Sequence, residues 1–107
     1  MIKNIIYKNE FKSNGKGISL NGINNQIYNN NFLNNVNQIE IVTGSTGNTF
    51  DQGSITGGNY WSNYDTQEEG CINENLRDIY CDSPLVLPVG QDSYPWINPN
   101  GTPPIQL

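Results

Sequence analysis

The chemistry open to this chain lies in carboxylates, aromatic rings, amides and two thiols, because its 107 residues include no histidine and a single methionine, Met1. Without imidazole the commonest general base is missing, and so is the commonest transition-metal ligand. Histidine-dependent catalysis is excluded, and almost no soft copper or zinc chemistry is left. Cys71 and Cys81 stand ten positions apart across polar sequence. That spacing suits a disulfide-closed loop and fits none of the Cys/His zinc patterns.

Carboxylates are the next candidates. A glycoside hydrolase needs two of them about 5 to 9.5 Å apart across the scissile bond. The two clear repeats described below carry only Glu10 and Glu40, at non-equivalent positions. Asp65, Glu68, Glu69, Asp78 and Asp82 surround the single arginine, Arg77, in a loop-rich region. A constellation there would stand on a loop instead of rigid strands. Their oxygens make calcium the one candidate cation, but their spacing matches no EF-hand loop and no metal ligand is assigned. No catalytic residue is assigned either, and the chain is read as a non-enzyme.

Aromatic rings are concentrated in the same half: Tyr60, Trp61, Tyr64, Tyr80, Tyr94 and Trp96. Exposed rings stack on sugar faces, which makes Tyr60, Trp61, Tyr64, Tyr94 and Trp96 the candidate carbohydrate-binding residues. The competing role, and the preferred one, is bulky cover over the open end of a fold.

These groups must be positioned by elements built from 19 Asn, 13 Ile and 11 Gly with no Ala. Ala is the best helix former and Asn and Gly are poor ones, so an all-helical fold is excluded. Sliding the chain by 21 residues pairs Asn4 with Asn25, Ile6 with Ile27, Tyr7 with Tyr28 and Asn9 with Asn30. It also pairs Phe11 with Phe32, Asn14 with Asn35, Ile18 with Ile39 and Leu20 with Ile41, and only the last pair is not identical. A period this short excludes the common helix-pair repeats, and scarce Leu argues against a leucine-rich repeat. Apolar residues alternate over short stretches, as in half-buried strands. The expected fold is all-β: a single-stranded parallel β-helix of two to three rungs, each of three short strands.

Rungs stacked about 4.8 Å apart place Phe11 under Phe32 and Ile6 under Ile27. Asn9 and Asn30 then fall at a bend, where their amides satisfy turn backbone and bond to the next rung as a structural ladder. Tyr7 and Tyr28 stack outward on the flank. Near Thr43–Asn48 the register slips and the repeat ends.

The repeats Asn4-x-Ile6-x-x-Asn9-x-Phe11 and Asn25-x-Ile27-x-x-Asn30-x-Phe32 resemble those of NosD-like proteins. These are right-handed parallel β-helices, also called carbohydrate-binding and sugar-hydrolysis domains. Gly58-Asn59-Tyr60-Trp61-Ser62-Asn63-Tyr64-Asp65 is similar to the segment that follows the last rung in that family. Asp92-Ser93-Tyr94-Pro95-Trp96 resembles its closing motif, and Asp78–Leu85 resembles a stretch with Ile79 and Cys81 where the family has glycines. The resemblance implies a right-handed coil with a C-terminal cap, and its name implies copper handling, for which this chain lacks ligands.

The expected organisation is rungs over 1–57, a disulfide-closed cap over 58–98 and a Pro-rich tail over 99–107. Asn100-Gly101-Thr102 is a candidate glycosylation acceptor. Net charge is −5, split as +2 over residues 1–50 and −7 over 51–107, so nucleic acid is not an expected partner. No stretch approaches the roughly 20 apolar residues of a membrane span. With the disulfide, the expected location is extracellular, cell-surface or periplasmic.

The expected function is a non-catalytic structural or adhesive module at the C-terminal end of such a protein. Its exposed first edge would be covered by upstream rungs or by a second copy. The alternatives are glycan binding through the cap aromatics, or the tail of a polysaccharide-active enzyme whose site lies upstream.

Overall fold

The computed structural model describes residues 4–72, 79–88 and 90–102. The first repeat forms β1 (Ile5–Tyr7), β2 (Glu10–Lys12) and β3 (Lys16–Leu20). The second forms β4 (Gln26–Tyr28), β5 (Asn31–Leu33) and β6 (Asn37–Ile41). Strands of one repeat pair with those of the next, all in parallel: β1 with β4, β2 with β5, β3 with β6. The register follows the 21-residue period, with Ile6 opposite Ile27, Phe11 opposite Phe32 and Ile18 opposite Ile39. The molecule is all-β, built of separate small sheets with one disulfide.

Each strand is short because a bend follows it at once. Lys8 (φ 59°) and Asn29 (57°) occupy equivalent bends, as do Ser13 (58°) and Asn34 (55°), and all four are left-handed. Asn tolerates this conformation better than most residues because its short side chain bonds locally. The residue after each bend is again Asn: Asn9, Asn30, Asn14 and Asn35. The high asparagine content is therefore a corner code, a left-handed residue followed by an amide that ties one repeat to the next.

In the three-residue strands of the two repeats the centre residue faces inward. Leu20, Ile27, Phe32, Phe50 and Trp61 are completely buried. Phe11 stacks on Phe32 with centroids 5.2 Å apart, and Phe32 stacks on Trp61 at 4.3 Å with planes 7° apart. On the flank Tyr7 and Tyr28 stack at 5.5 Å and 14°.

Beyond β6 the spacing lengthens. Bridges Ile23 to Thr46 and Gln26 to Thr49 are 23 residues apart, because a turn at Thr43 and Gly44 adds two residues. A single helical turn, α1 (Gly53–Thr56), follows before β7 (Tyr60–Trp61) joins β5 with Phe32 opposite Trp61. An antiparallel pair, β8 (Leu85–Leu87) and β9 (Gly90–Asp92), then brings the chain back over β7, where Trp96 bridges Tyr60.

Candidate functional site

The corner asparagines form a directed chain of hydrogen bonds. The Asn9 amide N–H donates to Asn30 Oδ1 at 3.1 Å, Asn30 N–H to Asn59 Oδ1 at 3.1 Å, and Asn59 N–H to Asp92 Oδ2 at 2.8 Å. Two sister corners behave alike, with Asn4 to Asn25 to Asn48 at 3.0 and 2.8 Å, and Asn14 to Asn35 at 2.9 Å. Asn30 Nδ2 also donates to Tyr28 O at 3.1 Å and Ile6 O at 2.9 Å, so the amide closes its own turn. Sequence reading identified Asn9 and Asn30 but missed Asn59 and Asp92, which follow after 29 and 33 residues. An Asn directly ahead of an aromatic strand was the available signal at Asn59, although the residue before it, Gly58, is not left-handed as at the other corners.

Asp92 is where this chain of bonds ends. The side chain is completely buried and accepts from Asn59 N–H, from Trp61 Nε1 at 2.9 Å and from Tyr94 N–H at 3.0 Å. Burial pushes its carboxyl up to about 7, against the pull of those N–H donors, and the nearby Asp51 adds to the rise. Gly58 makes room for it, since a Cβ there would lie 1.8 Å from Asp92 Oδ1.

Burial favours cover over the alternative of an exposed aromatic platform. Trp61 is 0 % exposed, Tyr60 6 %, Trp96 7 % and Tyr64 9 %, and only Tyr94 is half-buried. A covered ring has no face left for a sugar. Trp61 spends one face on Phe32, and Tyr64 donates its hydroxyl to carbonyls of Gly70 and Pro84 at 2.9 and 3.0 Å. The Tyr60 hydroxyl bonds Asp65, and burial raises both groups above their ordinary values. Tyr94 meets Tyr80 edge-on at 5.4 Å. Sequence supplies ring type and position, but exposure depends on how the return segment folds back. A groove of about 690 Å³ lies beside β5, bordered by Lys8, Glu10, Asn29, Trp96 and the mutually bonded pair Asn31 and Asn100.

Cys71 and Cys81 are joined in a disulfide and both are buried. Closing a loop of this size stabilises a chain by roughly 2 to 3 kcal/mol in the entropic account. Reduction with a strong thiol is expected to lower the urea midpoint by an amount equivalent to about 2 kcal/mol. An unchanged midpoint would show that packing alone holds the loop. Arg77 and Asp78 lie outside the described residues.

Four of the described acids fall in two pairs, Asp65 beside Glu69 and Asp51 near Asp92. Glu69 Oε1 accepts the N–H groups of Asp65 at 2.8 Å and Thr66 at 3.2 Å, which lowers its pKa and caps the short 3-10 turn Gln67–Glu69. The Glu40 carboxylate is held below its usual value by Lys16 Nζ at 2.7 Å and by Ser19. Glu10 lies opposite Asn31, so the two strands present no second carboxylate beside it. Among the described residues no three His, Cys, Asp or Glu side chains are grouped as metal ligands.

The family described as periplasmic copper-binding protein (NosD) matches residues 2–66. The chain belongs to the NosD family. No curated protein and no solved structure matches it. The NosD match spans all the parallel ladders through β7 and ends just past Asp65, ahead of the disulfide and the closing segment. In keeping with a periplasmic family and a disulfide, this NosD member is extracellular or periplasmic. No described helix is long and apolar enough to cross a membrane. Copper, which the NosD description implies, does not fit the donors present. The chain has no imidazole, both thiols are consumed in the disulfide, and the one thioether is residue 1.

Proposed function

We propose that this NosD-family chain is a non-catalytic structural module that forms the last rungs of a right-handed parallel β-helix and seals its end. The two repeats are the rungs, the three parallel ladders are the faces of the coil, and the segment 58–98 is the cap. The observation that carries this reading is the direction of the asparagine chain. From the second repeat onward each corner Oδ1 accepts from the rung before it, and the run stops at Asp92, whose segment folds over β7.

The opposite end is built to receive. Asn9 and Asn14 donate onward, yet their own Oδ1 atoms accept no hydrogen bond among the described residues. The β1, β2 and β3 edges each pair on one side only among the described strands. A further rung with the same corner code would supply both missing sets of bonds, and adhesion or self-association through this edge is the role we assign it. The half-buried Phe11 then becomes an interior stack member instead of an end.

The test is to add one rung by duplicating residues 4–24 ahead of the chain and to compare both proteins by sedimentation and thermal unfolding. We expect the original chain to self-associate at micromolar concentration and the extended chain to melt higher. A stable monomer with a sharp transition that gains nothing from the extra rung would overturn the reading.

A further inference from the structure

We propose that Asn14-Gly15 is a self-modifying corner: Asn14 deamidates spontaneously while the first edge is bare, and is protected once a preceding rung covers that edge. The first half stands on local geometry alone. The second rests on the reading of this chain as the end of a β-helix.

An asparagine followed by glycine is the pair most open to this reaction, because glycine has no side chain to hinder the approach of its backbone nitrogen. That nitrogen loses its proton to hydroxide and attacks Asn14 Cγ. A C–N bond forms, the bond from Cγ to Nδ2 breaks, and ammonia leaves. Water then opens the cyclic imide at either carbonyl, giving aspartate or isoaspartate. Water and hydroxide are the only co-reactants, but the attacking N–H and the side-chain amide must both be free.

The chain has three such pairs, Asn14-Gly15, Asn21-Gly22 and Asn100-Gly101, and the fold sorts them. Gly22 N–H donates to Ser45 Oγ at 3.0 Å. Gly101 N–H donates to Asn98 O at 3.1 Å, and Asn100 Oδ1 is taken by Asn31 Nδ2 at 2.7 Å. Gly15 N–H and the Asn14 side-chain amide have no partner among the described residues, and both residues are exposed.

The second repeat shows what covers such a corner. Asn35 and Val36 are the equivalents of Asn14 and Gly15. Val36 N–H donates to Asn14 O at 2.9 Å, Asn35 Oδ1 accepts Asn14 N–H at 2.9 Å, and Asn35 Nδ2 donates to Phe11 O at 2.8 Å. A preceding rung holds Gly15 N–H and the Asn14 amide in the same way. Left bare, the corner ages. Aspartate accepts but cannot donate as the amide does, and isoaspartate adds a methylene to the backbone where the ladder needs exact register. An uncovered edge thereby loses its capacity to receive a rung, and a covered one keeps its corner intact.

Tandem mass spectrometry tests the first half on the intact chain, aged at neutral pH and at a concentration where sedimentation shows a monomer. Asn14 should convert at least about fivefold faster than Asn21 or Asn100, whose following glycines must first break a hydrogen bond. Gly15→Ala has room, since a Cβ there meets nothing within 4 Å, and should slow Asn14 by a factor of about five or more. The proposal is overturned if Asn14 lags behind either other pair, if all three convert at the rates of the urea-unfolded chain, or if Gly15→Ala changes nothing. The second half is tested on the chain extended by a duplicate of residues 4–24, with Gly15→Ala in the outer copy so that only the inner corner can react. There Asn14 should convert at least about fivefold more slowly than in the original chain. If the extended chain melts higher and its inner Asn14 still converts at the full rate, protection is wrong while the β-helix reading holds. If the melt does not rise either, the β-helix reading fails and the protective half of the proposal with it.

Discussion

Replacing Phe32 by alanine is expected to cost about 4 kcal/mol of unfolding free energy, the largest effect of any single side chain in this fold. The ring is completely buried and sandwiched, with Phe11 at 5.2 Å on one side and Trp61 at 4.3 Å on the other. Truncation removes the transfer free energy of a phenyl group and leaves a void that β5, paired on both edges, cannot collapse to fill. Each lost aromatic pair adds about 0.5 to 1.5 kcal/mol. Phe11→Ala, half-buried and stacked on one face, should cost about half as much. Urea unfolding of the two variants is the measurement. Equal costs would mean that the column of rings does not hold the ladders together.

Asn59→Ala is expected to cost about 3 kcal/mol although it removes no hydrophobic contact of note. Its Oδ1 accepts both Asn30 N–H and Asn30 Nδ2 at 3.1 Å, and its Nδ2 donates to Ile27 O at 3.0 Å and Phe50 O at 2.8 Å. All of these groups lie inside, so truncation leaves enclosed donors and acceptors without partners, which costs more than the bonds themselves contribute. The control is Asn9→Ala, at the exposed start of the same chain of bonds, with an expected loss below about 1 kcal/mol because water replaces the missing partner. Should thermal unfolding rank Asn9 above Asn59, the amides would be acting through turn propensity and not through their links.

The parallel ladders could be read from the chain because the period is carried by chemically distinctive residues. Asn9 and Asn30, Phe11 and Phe32, Tyr7 and Tyr28 repeat in identity, and vertical stacking demands like on like. The disulfide was legible from two cysteines ten residues apart. Asp92 was not, because the last step of the ladder crosses 33 residues, a separation that nothing in the repeat constrains, and because the residue that completes it is an acid, not an amide. Cover was the preferred role of Tyr60, Trp61 and Tyr64, and they are buried, but ring type alone does not decide it, since aromatic rings suit both an outer face and an inner one. The fold of the return segment decides between them, and that segment is governed by single contacts such as Asp92 against Gly58.

The spacing of partners along the chain also sets an order of assembly. Contacts between residues 21 apart close short loops, so each turn forms soon after its predecessor, as in a zipper that advances from the N-terminal side. Asn59 has its partner 33 residues later. During synthesis β7 therefore leaves the ribosome well before the segment that covers it, and for that interval the edge of β7 that Trp96 bridges and the Asn59 N–H are bare.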